Sequence, residues 1–167
     1  MQFHFVSRSA YRDKATPSFH EQLQDTFGEF YLLPEGGTNL LAVKGCEEIL
    51  TDEDADFDLI CSCVGTGGTL AGLINSAKPH QKVYGFPALK GDFLHEDIRK
   101  FARNARWELQ LDYHFGGYGK VNQELVDFIN TFKKDTGIPL DPIYTGKMLF
   151  GIFDLIKRNV FQQGIQI

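Results

Sequence analysis

Phe57-Asp-Leu-Ile-Cys-Ser-Cys-Val-Gly-Thr-Gly-Gly-Thr-Leu-Ala-Gly-Leu-Ile74 is the stretch that decides the fold. Leu59, Ile60, Cys61, Cys63 and Val64 form the short apolar run of an interior strand, and Leu70 to Ala77 carries a helical pattern. Between them Gly65, Gly67 and Gly68 let the main chain close on an anion, because a residue without a Cβ accepts the backbone conformations and close approach such a bend requires. Thr66 and Thr69 add hydroxyls beside the free amides of a helix start, where the macrodipole also favours negative charge. Strand, glycines and helix in that order predict a phosphate-binding bend in an α/β protein. The stretch lacks the Gly-Lys-Ser/Thr ending of a P-loop, and it lacks the glycine spacing and downstream acid of a dinucleotide fold. The phosphate expected is therefore that of another cofactor.

Outward from this bend, the chain reads as strands alternating with helices. Toward the N-terminus, Gln2 to Val6 alternates around Phe3 and Phe5 and predicts a strand. Thr16-Pro17 opens a helix whose apolar face is Phe19, Leu23 and Phe27, and Gly28 closes it. Phe30 to Leu33 reads as a short extended segment. Glu35-Gly36-Gly37-Thr38-Asn39 is a second glycine turn, with Thr38 or Asn39 as the cap of a helix running to about Leu50. The acidic Thr51 to Asp58 is a solvated connection without a catalytic role.

Toward the C-terminus, Lys78-Pro79 ends the helix after the bend and Lys82 to Phe86 is the next strand. His95 to Ala105 has a helical pattern, and Trp107 to Leu111 a short extended one. Asp112 to Lys120 is a glycine-rich loop crowded with aromatics. Leu125, Val126, Phe128, Ile129 and Phe132 make an amphipathic helix over Asn122 to Asp135 that Gly137 terminates. Leu140 to Lys147 leads into a last helix through about Arg158. These alternations predict a mainly parallel, doubly wound α/β sheet.

Composition narrows the function classes. The 167 residues are 43% hydrophobic and 23% charged, which is globular rather than disordered. A formal charge of -5 without a Lys/Arg cluster argues against nucleic acid as a partner. No stretch has the length and apolarity of a membrane span, and Met1 to Ser7 lacks the features of a secretory signal, so a cytoplasmic location is expected. Three cysteines give no disulfide framework, and Cys61 and Cys63 point to one face of the strand as small core groups. The five histidines are scattered and no metal site is expected.

Four stretches taken together, Pro34-Glu-Gly-Gly-Thr-Asn39, Val64-Gly-Thr-Gly-Gly-Thr-Leu-Ala-Gly72, Gly117-Tyr-Gly119 and Asp141-Pro-Ile-Tyr-Thr-Gly-Lys147, give a resemblance. The chain resembles the pyridoxal-phosphate enzymes of the 1-aminocyclopropane-1-carboxylate deaminase and D-cysteine desulfhydrase family along nearly its whole length. The resemblance implies the tryptophan-synthase-β-like fold (fold type II), here incomplete. It implies that Gly65, Thr66, Gly67, Gly68 and Thr69 bind the phosphate of pyridoxal 5'-phosphate. Tyr118 and Tyr144 match the family's two active-site tyrosines, whose phenols can move protons or stack near a small amino-acid substrate. Thr145 stands where the cyclopropane deaminases typically carry Glu beside the pyridine nitrogen; a hydroxyl there is the weaker partner and resembles the desulfhydrase side.

D-cysteine breakdown to pyruvate, sulfide and ammonia is therefore the activity that the resemblance implies first, with cyclopropane deamination as the alternative. A noncatalytic phosphate-ligand-binding or interaction remnant is the alternative of another class. The family's lysine stands in an N-terminal Gly-Asn-Lys segment that this sequence does not contain, and none of Lys14, Lys44, Lys90 or Lys147 has that context. Residues 1–167 are thus expected to be one α/β domain, the C-terminal cofactor-binding part of a longer enzyme, with residues 1–15 a remnant of its smaller domain. The chain alone is expected to be inactive, the full-length enzyme a homodimer. Lys147 is expected to be a surface or structural residue of the last helix start.

Overall fold

The computed structural model describes residues 3–167. These divide into two compact units, one ending at Leu33 and one running from Pro34 to Ile167. In the first, Ser7 caps α1 (Arg8–Arg12) by accepting from the Ala10 amide. Thr16 caps α2 (Pro17–Phe27) in the same way, with proline in its first turn, where a missing N–H leaves no orphan. Gly28 ends α2 with a positive φ of 71°. The strand expected from Gln2 begins outside the described residues, and Phe3 to Val6 joins no ladder. Alternation of side chains supplies a face but not a pairing partner.

The second unit is built on a three-stranded sheet, β1 (Leu59–Val64), β2 (Lys82–Pro87) and β3 (Trp107–Leu109), in the order β1-β2-β3. Both pairings are parallel, with Leu59 opposite Lys82 and Val83 opposite Trp107. Parallel strands need crossovers, and these are α4 (Gly68–Ser76) and α5 (Leu94–Arg99). Side-chain alternation divides the core in two. Val64, Val83 and Leu109 pack with Leu70, Leu73 and Ile74 of α4 and Leu94 and Ile98 of α5 on one face. Leu59, Tyr84 and Phe86 pack with Tyr113 and with Ile152 and Leu155 of α7 (Thr145–Lys157) on the other. The sheet is thus covered on both faces, as a parallel sheet must be.

Two further helices complete the unit. Asn39 is the cap of α3 (Leu40–Cys46), its Oδ1 accepting from the Ala42 amide at 2.9 Å. Asn122 caps α6 (Gln123–Thr136) through the Leu125 amide, and Gly137 in the left-handed region closes it. The helix expected over His95 to Ala105 stops at Arg99, because Asn75 of α4 takes the Arg103 amide at 2.8 Å and Asn104 donates to the Ile74 carbonyl at 2.7 Å. These partners are 28 and 30 residues away in sequence. Phe30 to Leu33 is irregular and exposed rather than part of a ladder.

Candidate functional site

β1 ends at Val64, and the chain turns through Gly65-Thr66-Gly67 into α4. Gly67 takes φ +90°, the left-handed conformation that L residues avoid, and a Cβ there would lie 2.6 Å from Ile98 Cγ1 of α5 beneath it. This bend leaves donors without partners. Among the described residues, the amides of Gly65, Thr66 and Gly67 donate to no protein acceptor, and the first backbone bond of α4 runs from Ala71 to Gly67. No side chain caps α4. The contrast lies in α3 and α6, capped by Asn39 and Asn122, and in α7, whose first amides Asp141 receives. Orphan amides at a helix start, with the macrodipole behind them, form an anion site.

The second glycine turn lies against the bend. Thr38 Oγ1 and Thr66 Oγ1 are 2.6 Å apart, and a Cβ on Gly36 would stand 2.5 Å from Thr66 Oγ1. A Cβ on Gly68 would likewise meet Thr38 Oγ1 at 2.8 Å. The two turns and α4 enclose a cleft of about 280 Å³ lined by Gly36, Gly37, Thr38, the whole of Gly65 to Leu70, Cys46, Cys63 and Tyr144. It sits beyond the carboxyl end of β1, the position where open α/β sheets bind ligands. The polar groups of this lining include main-chain amides and the hydroxyls of Thr38, Thr66, Thr69 and Tyr144, and no carboxylate side chain is among its residues, so the donor set fits a phosphate ester.

Tyr144 brings a phenol to the bend. Its hydroxyl is 3.4 Å from where a Cβ of Gly65 would be. Tyr118 packs edge-on against it, ring centroids 6.0 Å apart and planes at 67°. Burial raises the Tyr144 pKa first, and the neighbouring Tyr118, Cys63 and Asp141 push the same way. The Tyr144 phenol therefore keeps its proton at neutral pH. Tyr118 itself is 57% exposed.

Asp141 organises the start of α7. Its Oδ1 accepts from the amides of Ile143 (2.8 Å) and Tyr144 (2.7 Å), and its Oδ2 from the amide (2.9 Å) and hydroxyl (2.6 Å) of Thr145. The Asp141 amide in turn donates to Thr145 Oγ1 at 3.0 Å. Thr145 therefore holds its hydroxyl within the cap of α7 and does not line the cleft. Partial burial opposes the charge on Asp141, but these four donors outweigh it and hold the pKa down at about 2.

A depressed carboxylate pKa stabilises the fold above the ordinary value of 3.8 and loses that contribution as pH falls through about 2. Asp141→Asn is expected to lower stability at pH 7 by about 1 kcal/mol, after allowance for solvent screening of an exposed group. Urea midpoints at pH 7 and pH 2.5 check this: the gap between the two chains should narrow at the lower pH.

The structure thus brings Gly65, Thr66, Gly67, Gly68, Thr69 and Tyr144 to one cleft, sets Tyr118 beside Tyr144, and places Thr145 in a helix cap. Sequence reasoning did not assign the lining residues Gly36, Gly37, Thr38, Cys46 and Cys63 to the site. The Glu35–Asn39 turn was the available signal for the first three. Among the described residues no lysine lines the cleft, and no group of three or more His, Cys, Asp or Glu could hold a metal. No helix among them is long and apolar enough to cross a membrane.

An open parallel sheet with an uncapped glycine bend at a strand's carboxyl end and two phenols beside it defines an α/β protein with an anion-site geometry at the end of β1. No family model matches the chain. A Pyrococcus horikoshii protein provisionally named a 1-aminocyclopropane-1-carboxylate deaminase is 33% identical over 156 residues, covering 83% of this chain and 48% of that protein. The bifunctional D-cysteine desulfhydrase/1-aminocyclopropane-1-carboxylate deaminase of Arabidopsis thaliana mitochondria is 26% identical over 185 residues, 93% of this chain and 45% of that one. A crystal structure of a homologue of the cyclopropane deaminase superposes with a TM-score of 0.77 at 28% identity, over 97% of this chain and 55% of the other. The chain is a homologue of the 1-aminocyclopropane-1-carboxylate deaminase and D-cysteine desulfhydrase proteins, and it spans about half the length of these relatives.

Proposed function

We propose that this chain is the phosphate-holding half of a pyridoxal-phosphate lyase or deaminase that acts on a small amino acid. The observation that carries this reading is the set of partnerless amides at Gly65, Thr66 and Gly67 beside the Tyr144 hydroxyl. The amides and the hydroxyls of Thr38, Thr66 and Thr69 bind and orient the phosphate. Pyridoxal phosphate, once bound, supplies an electron sink for breaking a bond to the amino-acid Cα. Tyr144, its proton retained by burial and by Tyr118, delivers or holds a proton on the substrate side of the cleft. Tyr118 keeps that phenol in place.

Because no lysine lines the cleft among the described residues, the chain alone holds the phosphate weakly and turns over nothing. The same observation favours a second reading, a noncatalytic site for a phosphorylated ligand. Within the enzyme reading, D-cysteine is the preferred substrate, since Thr145 offers no carboxylate where a cyclopropane-opening enzyme would need one and its hydroxyl is engaged by Asp141. The names of several relatives favour the cyclopropane acid instead.

Titrating the purified chain with pyridoxal phosphate, inorganic phosphate and unphosphorylated pyridoxal tests the reading. The two phosphates should raise the thermal midpoint and pyridoxal should not; indifference to both phosphates would remove the proposal. Borohydride reduction should leave no stoichiometric lysine adduct. Joining the chain to a segment that carries Gly-Asn-Lys and comparing sulfide release from D-cysteine with 2-oxobutanoate formation from the cyclopropane acid decides the substrate.

A further inference from the structure

Lys147 lies in the first turn of α7 and is 2% exposed, one of the largest fully buried side chains of the unit. A buried ammonium needs acceptors, and Lys147 Nζ donates to two main-chain carbonyls, His114 O at 2.8 Å and Gly117 O at 2.9 Å. These carbonyls belong to the loop between β3 and α6. They flank Phe115 and Gly116, and the chain from Phe115 to Gly117 runs through positive φ values of 53°, 95° and 119°. His114 Nδ1 accepts from the Gly116 amide at 2.8 Å, tightening the same turn. Tyr118 follows immediately. Lys147 itself is three residues after Tyr144, on the same side of the helix start.

We propose that Lys147 is a positioning residue, whose ammonium fixes the His114–Gly117 turn and thereby sets the Tyr118 phenol against that of Tyr144. One side chain on α7 holds the residue adjacent to the first tyrosine, while the second tyrosine stands one turn earlier on the same helix. The attachment is direct. Tyr118 is more than half exposed, so packing alone gives it little reason to keep one place beside Tyr144. Burial lowers the Lys147 pKa, with Asp141 opposing that shift, which marks the ammonium as taken out of water rather than spread on the surface. The functional weight of this assignment rests on the role proposed above for the two phenols.

The test uses the full chain with isotope-labelled tyrosines, the pair being assigned by Tyr118→Phe. In the unmutated protein a ring-to-ring cross-relaxation signal joins Tyr118 and Tyr144. In Lys147→Met, which keeps the length and loses the donors, the signal is expected to vanish. Amide exchange over His114 to Gly119 should accelerate about tenfold or more while β1, β2 and α4 keep theirs. A folded Lys147→Met protein that retains the ring contact overturns the proposal.

Should that variant not fold, the unmutated chain decides through brief acetylation with an activated ester. Lys147 is expected to escape modification while exposed lysines react; a Lys147-acetylated fraction that keeps the ring contact overturns the proposal equally. No pyridoxal phosphate enters these readings. A bend that binds no phosphate would therefore remove the proposed function and leave this inference standing, and a surviving ring contact would do the reverse.

Discussion

Gly67→Ala is expected to lose about 2–5 kcal/mol of stability and at least about tenfold in phosphate affinity. Two physical terms combine. An L residue held in the left-handed region costs about 1–2 kcal/mol. The new Cβ also sits 2.6 Å from Ile98 Cγ1 and 3.3 Å from its Cδ1, so the side chain that supports the bend from α5 must move, at about 1–3 kcal/mol for an overpacked site. Relief by rotating the bend turns the orphan amides of Gly65 to Gly67 away from the cleft. Gly45→Ala is the control: it lies inside α3 with open space around the added Cβ and is expected to be neutral or stabilising by up to about 1 kcal/mol. Urea unfolding and a phosphate titration of both variants read the difference.

Gly72→Ala should be comparably damaging for a different reason. Its φ is ordinary, but the added Cβ would collide with Cys46 Cβ and come within 2.8 Å of the Cys46 carbonyl carbon and 2.9 Å of the Val43 carbonyl oxygen. Two of those atoms are main chain, so no rotamer change clears the clash and α3 must shift away from α4. Loss of about 2–3 kcal/mol follows. The shift reaches the cleft, since Asn39, the cap of α3, directly follows Thr38, whose hydroxyl meets that of Thr66. Faster reaction of Cys46 with a thiol reagent, alongside a lowered urea midpoint, is the expected signature.

The bend itself was legible in the sequence because strand, glycines and helix start are contiguous, and contiguity needs no tertiary information. The same holds for α2 and α6, whose caps Thr16 and Asn122 and stops Gly28 and Gly137 stand at their own ends. What escaped depended on distant partners. The early end of α5 follows from hydrogen bonds that Asn75 and Asn104 make between α4 and the segment after α5. Lys147 was open between surface and structure, and its burial depends on carbonyls 33 and 30 residues earlier. Thr145 is the instructive case. Its partner Asp141 is only four residues away, and an acid at that spacing before a helix is a local capping signal, so the bond that engages the Thr145 hydroxyl was within reach of the sequence.

Amide chemical shifts of the isotope-labelled chain, followed during titration with pyridoxal phosphate, test the central claim most directly. Gly65, Thr66, Gly67, Gly68 and Thr69 are expected to move together and saturably, downfield as donors gain an anionic acceptor, and unphosphorylated pyridoxal should leave them in place. Shifts confined to other parts of the chain, with these five amides unmoved, would contradict it.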